Sequence, residues 1–229
     1  YFSAAALLFA ASFGEEQAGL LMAVIGFCTA IAVALRCLLP PRREYLGTVA
    51  SAVLGLVYIA GGMTFLSLLR SVDVPAAVGT VGAWSFARRM GAVLLVLLPV
   101  WASDTGAFLA GGLWGHHRLA PVLSPNKTVE GAIGGFISTL LATLLLGAGW
   151  LKLPVGASLI LGSAVGVACQ LGDLVESAIK RDLGLKDFGV IFGPHGGLLD
   201  RFDGLLLAMP AGYAVLWLVL GPNAFTGHI

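Results

Sequence analysis

The sequence predicts an all-α protein: a polytopic helical bundle in a membrane, with about seven transmembrane helices and a polar site facing the cytoplasm. Three observations predict it. Of 229 residues, 58% are apolar and 11% charged, where soluble domains have roughly 45–50% and about 25%. Mean hydropathy is +0.95. The apolar residues are gathered into runs close to the roughly 20 residues that cross a hydrocarbon core. A soluble globule of this size has no core large enough to hide that surface, and disorder requires low hydrophobicity. Thirteen Lys and Arg against 12 Asp and Glu leave a net charge of +1, so no nucleic-acid partner is expected.

The spans are read as 1–13, 18–39, 46–69, 90–113, 131–150, 154–178 and 204–221. The first is expected to be a truncated helix, since the chain starts at Tyr1, and without a charged leader it does not read as a signal peptide. Gly14, Glu15, Glu16 and Gln17 end it. Pro40 and Pro41, followed by Arg42, Arg43 and Glu44, end the second, because proline cannot continue a helix without losing a backbone bond. Residues 70–75 end the third, and polar loops at 116–128 and 181–201 separate the later spans. Glycines inside the spans, such as Gly131 with Gly135 and Gly162 with Gly166, suit close packing of helix backbones. Cys28, Cys37 and Cys169 lie in apolar runs with neither a Cys-x-x-Cys pair nor a nearby His. They read as small buried hydrophobes.

Placing the loops 40–45, 114–130 and 179–203 on one side gathers Arg36, Arg42, Arg43, Arg118, Lys127, Lys180, Arg181, Lys186 and Arg201 there. Arg70, Arg88, Arg89 and Lys152 fall opposite. The excess of basic residues marks the first side as cytoplasmic. The chain is read as one integrated membrane domain, with N-terminal helices in 1–100 and a catalytic region in 101–229.

The polar residues form four groups. Asp173, Ser177 and Lys180 fall on one helical stripe with Glu176 beside it. That pattern is either an intrahelical ion pair solubilising a helix end or a functional set, the usual role of ionisable groups at membrane depth. Gly193, Pro194, His195, Gly196 and Gly197 make a tight loop whose backbone can approach a ligand. Asp200 and Asp203 follow it at i, i+3. They serve either as favourable charges at a helix N-terminus or, with Asp173, as oxygen ligands for a hard divalent cation. Ser124, Pro125, Asn126, Lys127 and Thr128 run into a helix that Thr128 can cap, and its first N–H groups suit an anion. The pattern is not a P-loop. Asp104, with Ser103, Thr105 and Gly106, lies inside an apolar span and needs a partner or a role there. His116 and His117 read as solvated loop residues.

These stretches resemble the phosphatidate cytidylyltransferases (CDP-diacylglycerol synthases). The resemblance is carried by Ser177, Lys180, Arg181, Lys186, Asp187, Gly189, Phe192, Gly193, His195, Gly196, Gly197, Asp200, Arg201 and Asp203 at their spacing. The motifs Ser124 to Gly131 and Ser103 to Gly106 support it. It covers roughly residues 101–204, and 1–100 are alike only in being apolar and helical. It implies transfer of CMP from CTP to phosphatidic acid, giving CDP-diacylglycerol and pyrophosphate in phospholipid biosynthesis. It implies Mg²⁺, with a second ion in some members, no organic cofactor, and a homodimer. On this reading Asp173, Asp200 and Asp203 hold the metal. Lys180, Asp200, Asp203, Ser177 and Arg201 are catalytic. Ser124, Asn126, Lys127, Thr128, His195, Gly196, Gly197, Asp104 and Lys186 bind substrate. The location implied is a bacterial-type inner membrane with the site facing the cytoplasm. Two other readings remain at this stage: another metal-dependent membrane phosphotransferase, and a secondary transporter using intramembrane acids. The Asp-Gly-x-x-Ala-Arg motif of CDP-alcohol transferases is absent. Transporter sites lie near the bilayer midplane between repeats, unlike this one-sided cluster.

Overall fold

The computed structural model describes residues 47, 50, 53–72, 74, 84–185, 200 and 202–221, with backbone alone at 56, 60 and 84–89. The chain divides into two compact units, Tyr1–Ser67 and Leu68–Ile229. The expected spans 1–13 and 18–39 lie outside the described residues.

Helix α1 (Gly62–Ser71) follows a π-helical turn at Leu56–Gly61. Helix α2 (Trp84–Trp114) is the longest, with Pro99 inside it. A hairpin of β1 (Arg118–Ala120) and β2 (Ser124–Thr128) follows. Helix α3 (Val129–Leu144) ends in a π turn at Leu145–Trp150. Helix α4 (Val155–Asp182) and helix α5 (Asp203–Leu220), which carries Pro210, complete the order. Helical proline is tolerated here because neighbouring helices can satisfy the freed backbone groups. Five helices among the described residues are long and apolar enough to cross a membrane: Val53–Ser71, Met90–Trp114, Val129–Trp150, Val155–Asp182 and Asp203–Leu220. They coincide with five of the seven expected spans. The chain is thus a helical membrane protein. Phe108, Ile137, Val167 and Leu218 point outward and are exposed, as suits an apolar solvent.

Without a hydrophobic drive between helices in lipid, close packing must hold them together. Small residues provide it. A Cβ on Gly135 would lie 2.9 Å from the Ser103 carbonyl, and one on Gly106 would lie 2.9 Å from the Gly134 carbonyl. So α2 and α3 cross backbone to backbone. Gly162 and Gly166 of α4 face Thr143 and Phe136 of α3 at 3.1 and 3.0 Å. The Gly-x-x-x-Gly spacings therefore act in packing within the chain. Buried Thr139 and Thr143 donate to Gly135 O and Thr139 O, one turn back. Leu95, Val96, Val165, Leu205 and Met209 are fully buried, and Gly212 of α5 lies against Val96 and Val165.

One part of the fold departs from the expected polar loop at 114–130. Strand β2 pairs antiparallel with β1, Arg118 opposite Thr128 and Ala120 opposite Ser124, with an irregular register between. Pro125 argues against a strand, but a two-stranded ribbon is all edge and tolerates it.

Gly106→Val is expected to destabilise the detergent-solubilised chain by about 1–3 kcal/mol, the usual cost of overpacking. Gly112, with nothing within 4 Å of its Cβ position, should accept the same change. Melting temperatures compare the two, and equal values would mean that α2 and α3 do not cross this closely.

Candidate functional site

Helices α4 and α5 meet at two glycines. A Cβ on Gly172 would lie 2.7 Å from the Asp203 carbonyl and 3.3 Å from Gly204 Cα. No other side chain fits there. The approach places Asp173, the next residue on α4, beside Asp203 at the start of α5. Glu176, one turn further along α4, is the third member. Each contributes a carboxylate oxygen, and all lie within 4.8 Å of one another. Asp203 Oδ1 also accepts from the Gly204 N–H at 2.7 Å.

Glu176 is only 1% exposed. The Lys180 Nζ lies 2.9 Å from Glu176 Oε2, and the Glu176 and Asp203 carboxyl groups are hydrogen-bonded to each other. The same ammonium lies 2.6 Å from Asp200 Oδ1. Lys180 thus bridges the α4 acid to the segment entering α5. Lys127, from β2, pairs with Asp173. Four acids and two ammonium groups from three stretches of chain converge on one region. An acidic trio of this spacing offers the oxygen donors that a hard divalent cation takes.

A cavity of about 370 Å³ adjoins the trio. Asn126, Lys127 and Thr128 line it with Gln170, Asp173 and Phe108. Gln170 Nε2 donates to the Ala132 carbonyl at 2.9 Å, tying α4 to α3. The cavity joins polar groups at the α3 N-terminus to an apolar wall.

The comparisons with known proteins bear on this arrangement. The sequence model of the cytidylyltransferase family matches residues 1–219. The chain belongs to that family. Curated relatives named phosphatidate cytidylyltransferase include one from Staphylococcus saprophyticus subsp. saprophyticus, 47% identical over 125 residues. Another from Staphylococcus haemolyticus is 45% identical over 119 residues, and one from Staphylococcus aureus is 44% identical over 120. Each match covers 52% of this chain and 46% of the relative. The chain spans about half the length of the curated relatives it matches.

Within this family member, the expected site residues are distributed as follows. Asp173, Lys180, Asp200 and Asp203 come together at the α4/α5 junction, joined by Glu176. The sequence reading had placed Glu176 beside the stripe only as a possible ion-pair partner. Its burial follows from i, i+4 spacing to Lys180 and from the Gly172 contact, which hides that face of α4. Asp200 sits on Lys180, next to the trio. Ser177 is half-buried on α4. Lys127 and exposed Asn126 lie on β2 with Ser124. Thr128 is 9% exposed and caps α3, accepting from the Gly131 N–H at 3.1 Å. The Val129 N–H donates to His117 O at 2.9 Å. Two of the α3 N–H groups expected to suit an anion are therefore already used.

Asp104 lies on the exposed side of α2, and neighbouring Ser103 takes the inward position, 3.4 Å from Cys169 Sγ. Cys169 is free and buried, while Cys28 and Cys37 lie outside the described residues. His117 is solvent-exposed as expected, yet its Nδ1 lies 2.6 Å from Glu130 Oε1. Lys186, His195, Gly196, Gly197 and Arg201 lie outside the described residues.

Removing the shared cation takes the Lys180 ammonium from both Glu176 and Asp200. Lys180→Met is expected to cost about 3–5 kcal/mol of stability, as breaking a buried pair does. Lys180→Met combined with Glu176→Gln should recover part of that loss. Thermal unfolding in detergent reads both, and an unchanged melting temperature in the single variant would contradict the bridge.

Proposed function

We propose that the chain is a phosphatidate cytidylyltransferase: CTP and phosphatidic acid give CDP-diacylglycerol and pyrophosphate at the cytoplasmic face of a bacterial plasma membrane. The observation that carries the reading is the acidic trio of Asp173, Glu176 and Asp203 flanked by Lys127 and Lys180, in a member of the cytidylyltransferase family. Relatives of that printed name support the substrates.

In this reaction a phosphate oxygen of the lipid attacks the α-phosphorus of CTP, and the bond to the β,γ-pyrophosphate breaks. Both reactants are anions, so charge neutralisation and alignment are the main tasks. The residues present fit a divalent ion. Their donors are all carboxylate oxygens within 4.8 Å of one another, and Glu176 among them is buried. Asp173, Glu176 and Asp203 would hold it, with Asp200 next to them across Lys180. Mg²⁺ so bound supplies neutralisation of triphosphate charge and of the leaving pyrophosphate.

The chain's own residues do the rest. Lys127 offers its ammonium to a phosphate at the mouth of the cavity, and Asn126 adds amide donors. Lys180 holds Asp200 and Glu176 at fixed separation, so the acids do not spread under mutual repulsion. Ser177, one turn from both Asp173 and Lys180 on α4, is a hydroxyl donor, because a direct displacement needs no covalent intermediate on the protein. The apolar wall of the cavity at Phe108, Leu119 and Leu174 suits the glycerol end of an acylated substrate. Arg201, Lys186, His195, Gly196 and Gly197 complete the nucleotide site by the resemblance alone. A homodimer is expected on the same footing.

The test is pyrophosphate release by the reconstituted full chain. It should require CTP, phosphatidic acid and Mg²⁺ together, and it should fall at least about 100-fold in Asp173→Asn or Asp200→Asn, the scale of losing an electrostatic catalytic group. Near-normal turnover in both variants would overturn the assignment of the acids. Equal rates with dATP or a UTP-sugar would overturn the substrate. Solute uptake into proteoliposomes without nucleotide consumption would favour transport instead.

A further inference from the structure

Among the described residues, the hairpin that carries Asn126 and Lys127 is held over the site at few points. Its base is secured at the helix ends, by Val129 N–H to His117 O at 2.9 Å and by His117 against Glu130. Within it, Arg118 Nη1 donates to the Pro125 carbonyl at 2.5 Å. Among the described residues, two side-chain contacts join it to α4. One is the Lys127–Asp173 pair. The other runs from Arg181 Nε to the Leu123 carbonyl at 3.0 Å. Their spacings match. From Asp173 to Arg181 is eight residues, about 12 Å of helix rise. From Leu123 to Lys127 is four residues, about 13 Å of strand. Strand β2 is therefore pinned to α4 near both of its ends.

The two pins differ in kind. Lys127 and Asp173 are both claimed by the chemistry proposed above, the one for a phosphate and the other for a cation, so neither can keep its partner through turnover. Arg181 binds a backbone carbonyl, which no substrate competes for.

Resting on the functional reading above, we propose that Arg181 is a positioning residue: its bond to the Leu123 carbonyl keeps β2 alongside α4, so that Lys127 remains over the site when it exchanges Asp173 for a nucleotide phosphate. Arg181 itself touches neither substrate. It acts through Lys127.

A double-mutant cycle tests this on the full chain in proteoliposomes with Mg²⁺, CTP and phosphatidic acid. Arg181→Gln should raise KM for CTP about tenfold with kcat within twofold. In a Lys127→Met background the same change should alter KM less than twofold, because the group being positioned is gone. Arg181→Lys, which keeps a cationic donor, should hold KM within threefold of the parent. A tenfold effect in both backgrounds, or a loss confined to kcat, would overturn the proposal. Should Arg181→Gln fail to fold, Arg181→Lys decides by the same KM criterion. Amide exchange across residues 123–128 of the resting chain reads the clamp without turnover. Arg181→Gln should speed it at least tenfold, and unchanged exchange would also overturn the proposal. A parent chain that shows the exchange effect but releases no pyrophosphate from CTP sinks the functional reading alone.

Discussion

Like charges repel more strongly as the surrounding dielectric falls, and four acids gathered at the end of two apolar helices would not stay together unaided. Lys180 is what lets them. Its ammonium contacts both the most deeply buried of them, Glu176, and the one on the adjoining segment, Asp200. A lysine is suited to this because its charge is compact and its four-carbon stem can run along the apolar helix surface. The approach of α4 and α5 at Gly172 and Gly204 brings the acids into range, and Lys180 makes that approach tolerable. The second ammonium, Lys127, does the same for Asp173 from a different stretch of chain.

Much of the fold was legible because lipid imposes a simple rule. A helix that crosses must be about 20 residues long and mostly apolar, so span limits can be read from hydropathy to within a few residues. The helices at Met90–Trp114, Val129–Trp150, Val155–Asp182 and Asp203–Leu220 agree with 90–113, 131–150, 154–178 and 204–221. The hairpin at Arg118–Thr128 was not legible. Strands of three and five residues are too short to show alternation, and Pro125 counts against one. Their pairing is settled by tertiary context instead, from Glu130, Asp173 and Arg181.

The site was legible in its parts but less so in its connections. Helical periodicity put Asp173, Ser177 and Lys180 on one stripe, and Thr128 is the cap that its place before α3 suggested. Which acid goes inward depends on packing that no spacing encodes. Glu176 is covered because the Gly172 face of α4 meets α5. Asp104 is exposed because the turn of α2 gives the inward place to Ser103. The sequence reading treated both carboxylates as undecided, and the difference between them is a matter of helix rotation by one residue.

Helix α4 is 28 residues long, about 42 Å at the usual rise, against a hydrocarbon thickness near 30 Å. With the first turns of α4 level with one face of that core, its turns from about Asp173 onward reach the opposite headgroup layer. For the reaction proposed, a lipid phosphate meets the acids at its own natural depth, and its acyl chains never leave the leaflet. The lipid is thus met as a solute in two dimensions. Turnover then follows its mole fraction in the surface, so diluting the membrane with inert lipid slows the protein where diluting the vesicles in buffer does not.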